Sequence, residues 1–166
     1  PELLQGMCRI IAEQAGYPLV RVGLWDDSEH LHEAACVPVG TNVDPVALSG
    51  PKFSALAANV RASGRPRLLN ELADAQGDAA PWVQHLHAGG FRSASLLPIH
   101  IEGLVDGVLA VAARDPGAFD QEETELLERT AGNLGYGPAA RRTQRARDRA
   151  ERDCRYLTHL DRLTGL

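Results

Sequence analysis

The chain has 166 residues, 44% hydrophobic and 23% charged, with a net charge of −5, which describes one ordinary domain with a real core and room for an appended helix. No apolar run approaches the roughly 20 residues needed to cross a bilayer, and no charged-apolar-small leader pattern is present, so no membrane segment is expected within these residues. A start at Pro1 and a stop at Leu166 in mid-motif are expected of a piece cut from a longer, cytoplasmic protein.

Leu3, Leu4, Met7, Ile10, Ile11 and Ala15 recur at helical spacing and predict an amphipathic helix ended by Gly16. Residues 19–25 (LVRVGLW) read as a strand, Asp26-Asp27-Ser28 as a turn, and residues 31–37 as the second arm of a hairpin. Phe53, Leu56, Ala57 and Val60 line one side of a helix over 53–63, which Gly64 and Pro66 stop. A short strand at 67–69, a loop over 71–80 and a short helix from Pro81 to Gly89-Gly90 follow. Residues 93–101 and 104–113 form the clearest hairpin, turning at Glu102-Gly103. Pro98 predicts that its first arm is an edge or bulged there. Asp120 and Glu123 make a capping-box-like start to a helix whose buried face is Leu126, Leu127, Thr130, Ala131 and Leu134. Gly135 to Pro138 is expected to kink or break it, and a further helix runs from about 139 to 160. Hairpin-joined strands with segregated helices predict an α+β fold with a central antiparallel sheet. There is no GxGxxG, P-loop or βαβ alternation to support a Rossmann or NTPase reading.

Charge is uneven. Residues 1–140 carry a net −9 and residues 141–166 a net +4. The acidic body argues against nucleic acid as a partner. The run Arg141, Arg142, Arg145, Arg147, Arg149, Arg152 and Arg155 is interleaved with Asp148, Glu151 and Asp153 and has no aromatic before Tyr156, so it reads as a solvated coiled-coil face. Cys8, Cys36 and Cys154 are odd in number and far apart, neither a disulfide framework nor a zinc spacing, and are expected to be reduced thiols. No serine–histidine–aspartate or paired-carboxylate arrangement is discernible, so these residues are not expected to form an enzyme.

Three stretches in order, "SGRPRLLNEL" (Ser63 to Leu72), "GGFRSASLLPIHIEGLVDGVLAV" (Gly89 to Val111) and "FDQEETELL" (Phe119 to Leu127), resemble the GAF sensor family. The resemblance covers residues 3–135 and implies a GAF-like central antiparallel sheet with helices on both sides. It also implies a small ligand held between one sheet face and lid helices, here the 51–63 helix and the 72–92 segment. Cys36, Phe53, Trp82 and His85 are the ligand-binding candidates that follow. The plainer alternative is that Trp82 fills core and the histidines face water. Haem is compatible with this family, with His85, His87 or His100 as iron ligands. Bilin attachment requires a Cys-His pair that the chain lacks. Cyclic-nucleotide members often carry an Asn-Lys…Phe…Asp-Glu set; here Arg114 precedes Phe119, then Glu122 and Glu123, and the Asn-Lys pair is missing. The family's methionine sulfoxide reductases use closely placed cysteines, and Cys8 and Cys154 lie on other elements than Cys36.

The last ten residues, "LTHLDRLTGL", resemble the opening of GGDEF-type diguanylate cyclase domains, with Asp161, Leu163, Thr164, Gly165 and Leu166 matching. The implied organisation is a sensor domain at 1–135, a signalling linker helix at 136–160 and the start of a truncated GGDEF domain at 161–166. No metal carboxylate of that family is included. The implied function is a small-ligand, redox or gas sensor that controls cyclic di-GMP synthesis through a homodimer. The linker seam would hold Ala146, Ala150, Leu157 and Leu160, and an 11-residue spacing turns Cys154 inward. The alternatives are a redox-active GAF protein and a pocketless dimerisation module.

Overall fold

The computed structural model describes residues 2–41, 43–44, 50–74 and 80–164, without the side chains of 52, 80, 141–142 and 159–164. Five helices surround one five-stranded sheet. In chain order the elements are α1 (Glu2–Ala15), β1 (Leu19–Trp25), β2 (Leu31–Pro38), α2 (Pro51–Ser63), β3 (Arg67–Leu69), a 3-10 turn (Leu72–Asp74), α3 (Ala80–Ala88), β4 (Ser93–Ile101), β5 (Leu104–Ala113), α4 (Gln121–Leu134) and α5 (Tyr136–Thr164). The strand order is β2-β1-β5-β4-β3, and every pairing is antiparallel. The predicted α+β fold is therefore the observed one.

Side-chain alternation divides the core in two. On one face Val20, Val22, Leu97, Ile99, Leu109 and Val111 meet Leu4, Cys8 and Ile11 of α1 and Leu127, Ala131 and Leu134 of α4. On the other, Leu19, Trp25, Ala94, Leu96, Val108, Ala110 and Ala112 meet Phe53, Leu56, Ala57 and Val60 of α2 and Trp82, Val83 and Leu86 of α3. Successive strand residues point to opposite faces, so one strand serves both layers.

Local chemistry explains the ends of the elements. Gly64 caps α2 at φ 64° with its N–H on the Val60 carbonyl, the left-handed geometry that glycine adopts without strain. The Asp120 side chain accepts from the Glu123 N–H at 2.8 Å and starts α4. Glu123 does not reach back to complete the capping box, because its carboxylate is taken by the Tyr17 hydroxyl. The β4–β5 turn has positive φ at both Glu102 (52°) and Gly103 (84°), the mirror-image turn that suits a two-residue hairpin. Pro98 sits opposite Val108, beyond the reach of short β3, which pairs only with residues 94–96. The irregularity of β4 falls between Ile99 and His100.

Two expectations need correction. The α1 stripe is narrower than its apolar residues: Leu3 and Ile10 are 58% and 53% exposed, and Cys8 takes the buried place. On α4, Leu126 is 47% exposed, since the helix lies flat on the sheet and only residues spaced as Leu127, Ala131 and Leu134 face it. The expected break before the linker is present and is one residue long. Gly135 keeps helical angles (φ −67°, ψ −22°), so α4 runs almost directly into α5.

Candidate functional site

The sheet face under α2 and α3 carries the polar groups that a pocket would need. Its centre is Phe53, 2% exposed, brought down by the apolar side of α2. Trp82 packs on it from α3 with ring centroids 5.6 Å apart. From the sheet, Arg21 lays its guanidinium carbon 4.4 Å from the centre of the same ring. Cation–aromatic stacking and a bond to Glu33 at 3.0 Å hold that charge in place. Burial nevertheless pushes the Arg21 pKa down, and Glu33 opposes this. Cys36 lies directly across the ladder from Arg21 and packs partly against this layer.

Three of the four expected ligand residues, Cys36, Phe53 and Trp82, therefore face one layer. The fourth does not. His85 is exposed on α3, because Trp82, Val83 and Leu86 take the inward positions of that short helix. His87 is exposed beside Arg92 and His100 is exposed on β4, so none of the three candidate haem ligands points into the core. Phe53, Trp82 and Leu86 are at most 4% exposed and fill the layer, which is the plainer of the two readings of Trp82.

The residue missed by sequence reasoning is Arg21. Its signal was a single charge within the apolar strand LVRVGLW. Arg61 is a second cation on this face, committed to Asp106 at 3.2 Å, to the Val105 carbonyl at 3.2 Å and to the Trp25 ring at 4.9 Å.

The thiols are muted. Burial, with Cys36 as a smaller cause, pushes the Cys8 pKa up to about 12. The α1 helix packs on β2, where the Gln5 side chain donates to the Cys36 carbonyl and accepts from the Cys36 N–H. Burial and then Glu33 also raise the pKa of Cys36. A thiol held protonated is a poor nucleophile.

A cavity of about 860 Å³ lies on the opposite side, between α5 and the body. Arg145, Arg149 and Arg152 form one wall, Asp26, Asp27 and His32 another, over a floor that includes Leu24 and Ile101. Of the expected seam residues, Ala146 also lines this cavity. Ala150, Cys154 and Leu157 are exposed, while the side chain of Leu160, and Gly165 and Leu166 entirely, lie outside the described residues. Among the described residues no helix is long and apolar enough to cross a membrane, and no group of three histidine, cysteine or acidic side chains could hold a metal.

The family model of the GAF domain matches residues 1–136. The chain belongs to the GAF domain family, a class of sensor and signalling domains. No curated protein matches the sequence significantly. Among solved structures, the chain is similar to GAF3 from Slr1393 of Synechocystis sp. PCC6803 in its photoproduct state. The TM-score is 0.72 at 10% identity, over 87% of this chain and 96% of that one. It is also similar to the GAF domain of an Acinetobacter phosphoenolpyruvate-protein phosphotransferase, with a TM-score of 0.59, 17% identity and coverage of 84% and 81%. A type II free methionine-R-sulfoxide reductase from Thermoplasma acidophilum gives 0.57, 14%, 81% and 88%. At these identities the likeness is one of fold.

Proposed function

We propose that this GAF domain is the regulatory input of a diguanylate cyclase, with a small-ligand site under α2 and α3 and a dimeric linker as its output. The observation that carries this reading is the junction of α4 and α5. A helix packed on the sheet continues through one helical glycine into a 29-residue polar helix whose last residues, Asp161 to Thr164, open the "DRLTGL" sequence. At 1.5 Å per residue α5 spans about 43 Å, a length over which a change in α4 can be passed along one continuous helix. Two cyclase domains must face each other to join two GTP molecules, so a ligand that favours one arrangement of paired linkers controls the rate.

The test is a phase series. The chain is joined in register to an intact GGDEF catalytic domain, and residues are inserted within α5. Two added residues turn the output by about 200°, whereas seven return it to nearly the same face. Cyclic di-GMP formation should change strongly with the first insertion and little with the second. A rate indifferent to both would refute the linkage. The unfused chain should form no cyclic di-GMP from GTP.

A second reading is favoured by the closed packing of Phe53 and Trp82. It is a domain that dimerises the linker and binds nothing, and it predicts that no small molecule alters either the fold or the output.

A further inference from the structure

The cavity between α5 and the body separates two walls of opposite charge. Arg145, Arg149 and Arg152 form the first. At about 100° per residue they fall within about 60° of one another, so three guanidiniums stack on one face of the helix. Like charges three and four residues apart destabilise a helix. Arg152 Nε donates to the Asp148 carbonyl at 3.2 Å, while Arg145 and Arg149 have no hydrogen-bond or ion-pair acceptor among the described residues. Asp26, Asp27 and His32 form the second wall. Asp26 already accepts from the Ser28 and His30 N–H groups and is bonded to the His32 ring. Asp27 has no such partner among the described residues, and no ion pair there crosses the cavity. Two walls that attract each other across about 860 Å³, over an apolar floor, have the form of a ligand site.

Each wall selects one end of the occupant. Guanidinium has donors and no acceptor, so the first wall takes oxygen lone pairs. One carboxylate fills one guanidinium fork. A phosphate monoester offers three oxygens and close to two negative charges at neutral pH, which suits three forks and offsets their mutual repulsion. The carboxylate of Asp27 only accepts, so the far end of the occupant brings a donor, and an ammonium also matches the charge. Between the walls Leu24 and Ile101 present carbon, and an apolar stem laid on them leaves water. The arginine stripe lies about a third of a turn from Ala150 and Leu157, so an occupant here leaves the expected seam clear.

We infer that this cavity takes a small phosphate ester with a terminal amine, its phosphate on Arg145, Arg149 and Arg152, its ammonium at Asp27 and its stem on Leu24 and Ile101. Such a ligand ties α5 to the body. No residue of α2 or α3 lines the cavity, so the site does not depend on the lid helices.

Aminohexyl phosphate, hexyl phosphate, hexylamine and inorganic phosphate are titrated into the chain by calorimetry at constant ionic strength. Aminohexyl phosphate should bind at one site per chain and at least about tenfold more tightly than hexyl phosphate, the scale of one charge-assisted bond. Hexylamine and inorganic phosphate should bind more weakly still. Arg149→Gln should weaken aminohexyl phosphate by about tenfold or more. Asp27→Asn should bring it down to the affinity of hexyl phosphate. Arg147→Gln removes the same charge from the opposite face of α5 and should leave the affinity unchanged. All three positions are exposed, so the variants should keep the fold by circular dichroism. The inference is overturned if aminohexyl phosphate does not bind, or if it binds no better than hexyl phosphate. It is equally overturned if Arg147→Gln weakens binding as much as Arg149→Gln, which would be attraction to net charge alone. Control of a cyclase stands or falls separately, on the phase series.

Discussion

Cys8, Cys36 and Cys154 share a side chain and differ in everything that governs reactivity. Cys8 is wholly buried with its pKa pushed up to about 12, Cys36 is half-buried with a raised pKa, and Cys154 is exposed on α5. A thiol-disulfide reagent at neutral pH should label one thiol per chain quickly and a second slowly, and the third only in denaturant. Rapid labelling of all three in the native protein would contradict the packing of α1 on β2. Asp26 shows the opposite shift. The His32 ring at 2.5 Å, and then the His30 backbone N–H, hold its carboxyl down at about 2 from the usual 3.8. The folded state therefore binds this proton more weakly than the unfolded chain. The contribution to stability is complete above the unfolded value and is lost as pH falls through the folded one. Denaturation of the wild type and Asp26→Asn should show a stability difference that is constant near pH 6 and shrinks between about pH 4 and 2. An unchanged difference at pH 2 would mean that the bond does not form in solution.

Turns and junctions are where single elements are decided. Glu102 occupies a left-handed position with φ 52°, which costs a side chain with a Cβ about 1 kcal/mol. Glu102→Gly or Glu102→Asn should raise the denaturation midpoint with an unchanged slope, by up to about 1 kcal/mol. At the same end of β4, a Cβ on Gly135 would run into the His100 carbonyl oxygen, so only glycine lets the α4–α5 junction lie against the strand. Gly135→Ala should destabilise the domain by about 1–3 kcal/mol, as overpacking against backbone does. A neutral effect would show that the junction stands off the sheet. The β4–β5 hairpin was legible from its two strand-like segments and the Glu102-Gly103 turn between them because these signals are local. The exposure of Leu126, by contrast, depends on how α4 lies across the sheet, and periodicity alone spread its buried face too wide.

At the scale of the molecule the proposed output requires a second copy. Ala150, Cys154 and Leu157 are exposed in the single chain, with Leu157 64% exposed, as residues awaiting a partner helix would be. In a parallel pair with Cys154 at the seam, the two sulfurs meet at one height. A disulfide needs Cα atoms about 4.4–6.8 Å apart, so mild oxidant should crosslink the chains. Cys154→Ser should abolish the crosslink and leave the dimer intact by light scattering. A monomer at high concentration, or a dimer that never crosslinks, would remove the physical basis for signalling through α5.

Local pattern was enough to determine which segments are strands and helices, that the sheet is antiparallel, and which family these residues join. Periods of 2 and 3.6, glycine stops and the Asp120 cap are properties of neighbours in sequence. The candidate site was decided elsewhere. Phe53, Trp82, Arg21 and Glu33 come from α2, α3, β1 and β2 and meet only because both lid helices cover one face of the sheet. His85 belonged to the same short motif as Trp82, yet one turn of helix geometry sent it to water. Arg21 read as an oddity in an apolar strand. Only tertiary packing, which buries a charge where it can stack on Phe53 and pair with Glu33, made it the charged centre of that layer, because the cost of desolvating a guanidinium is set by what surrounds it and not by its neighbours in the chain.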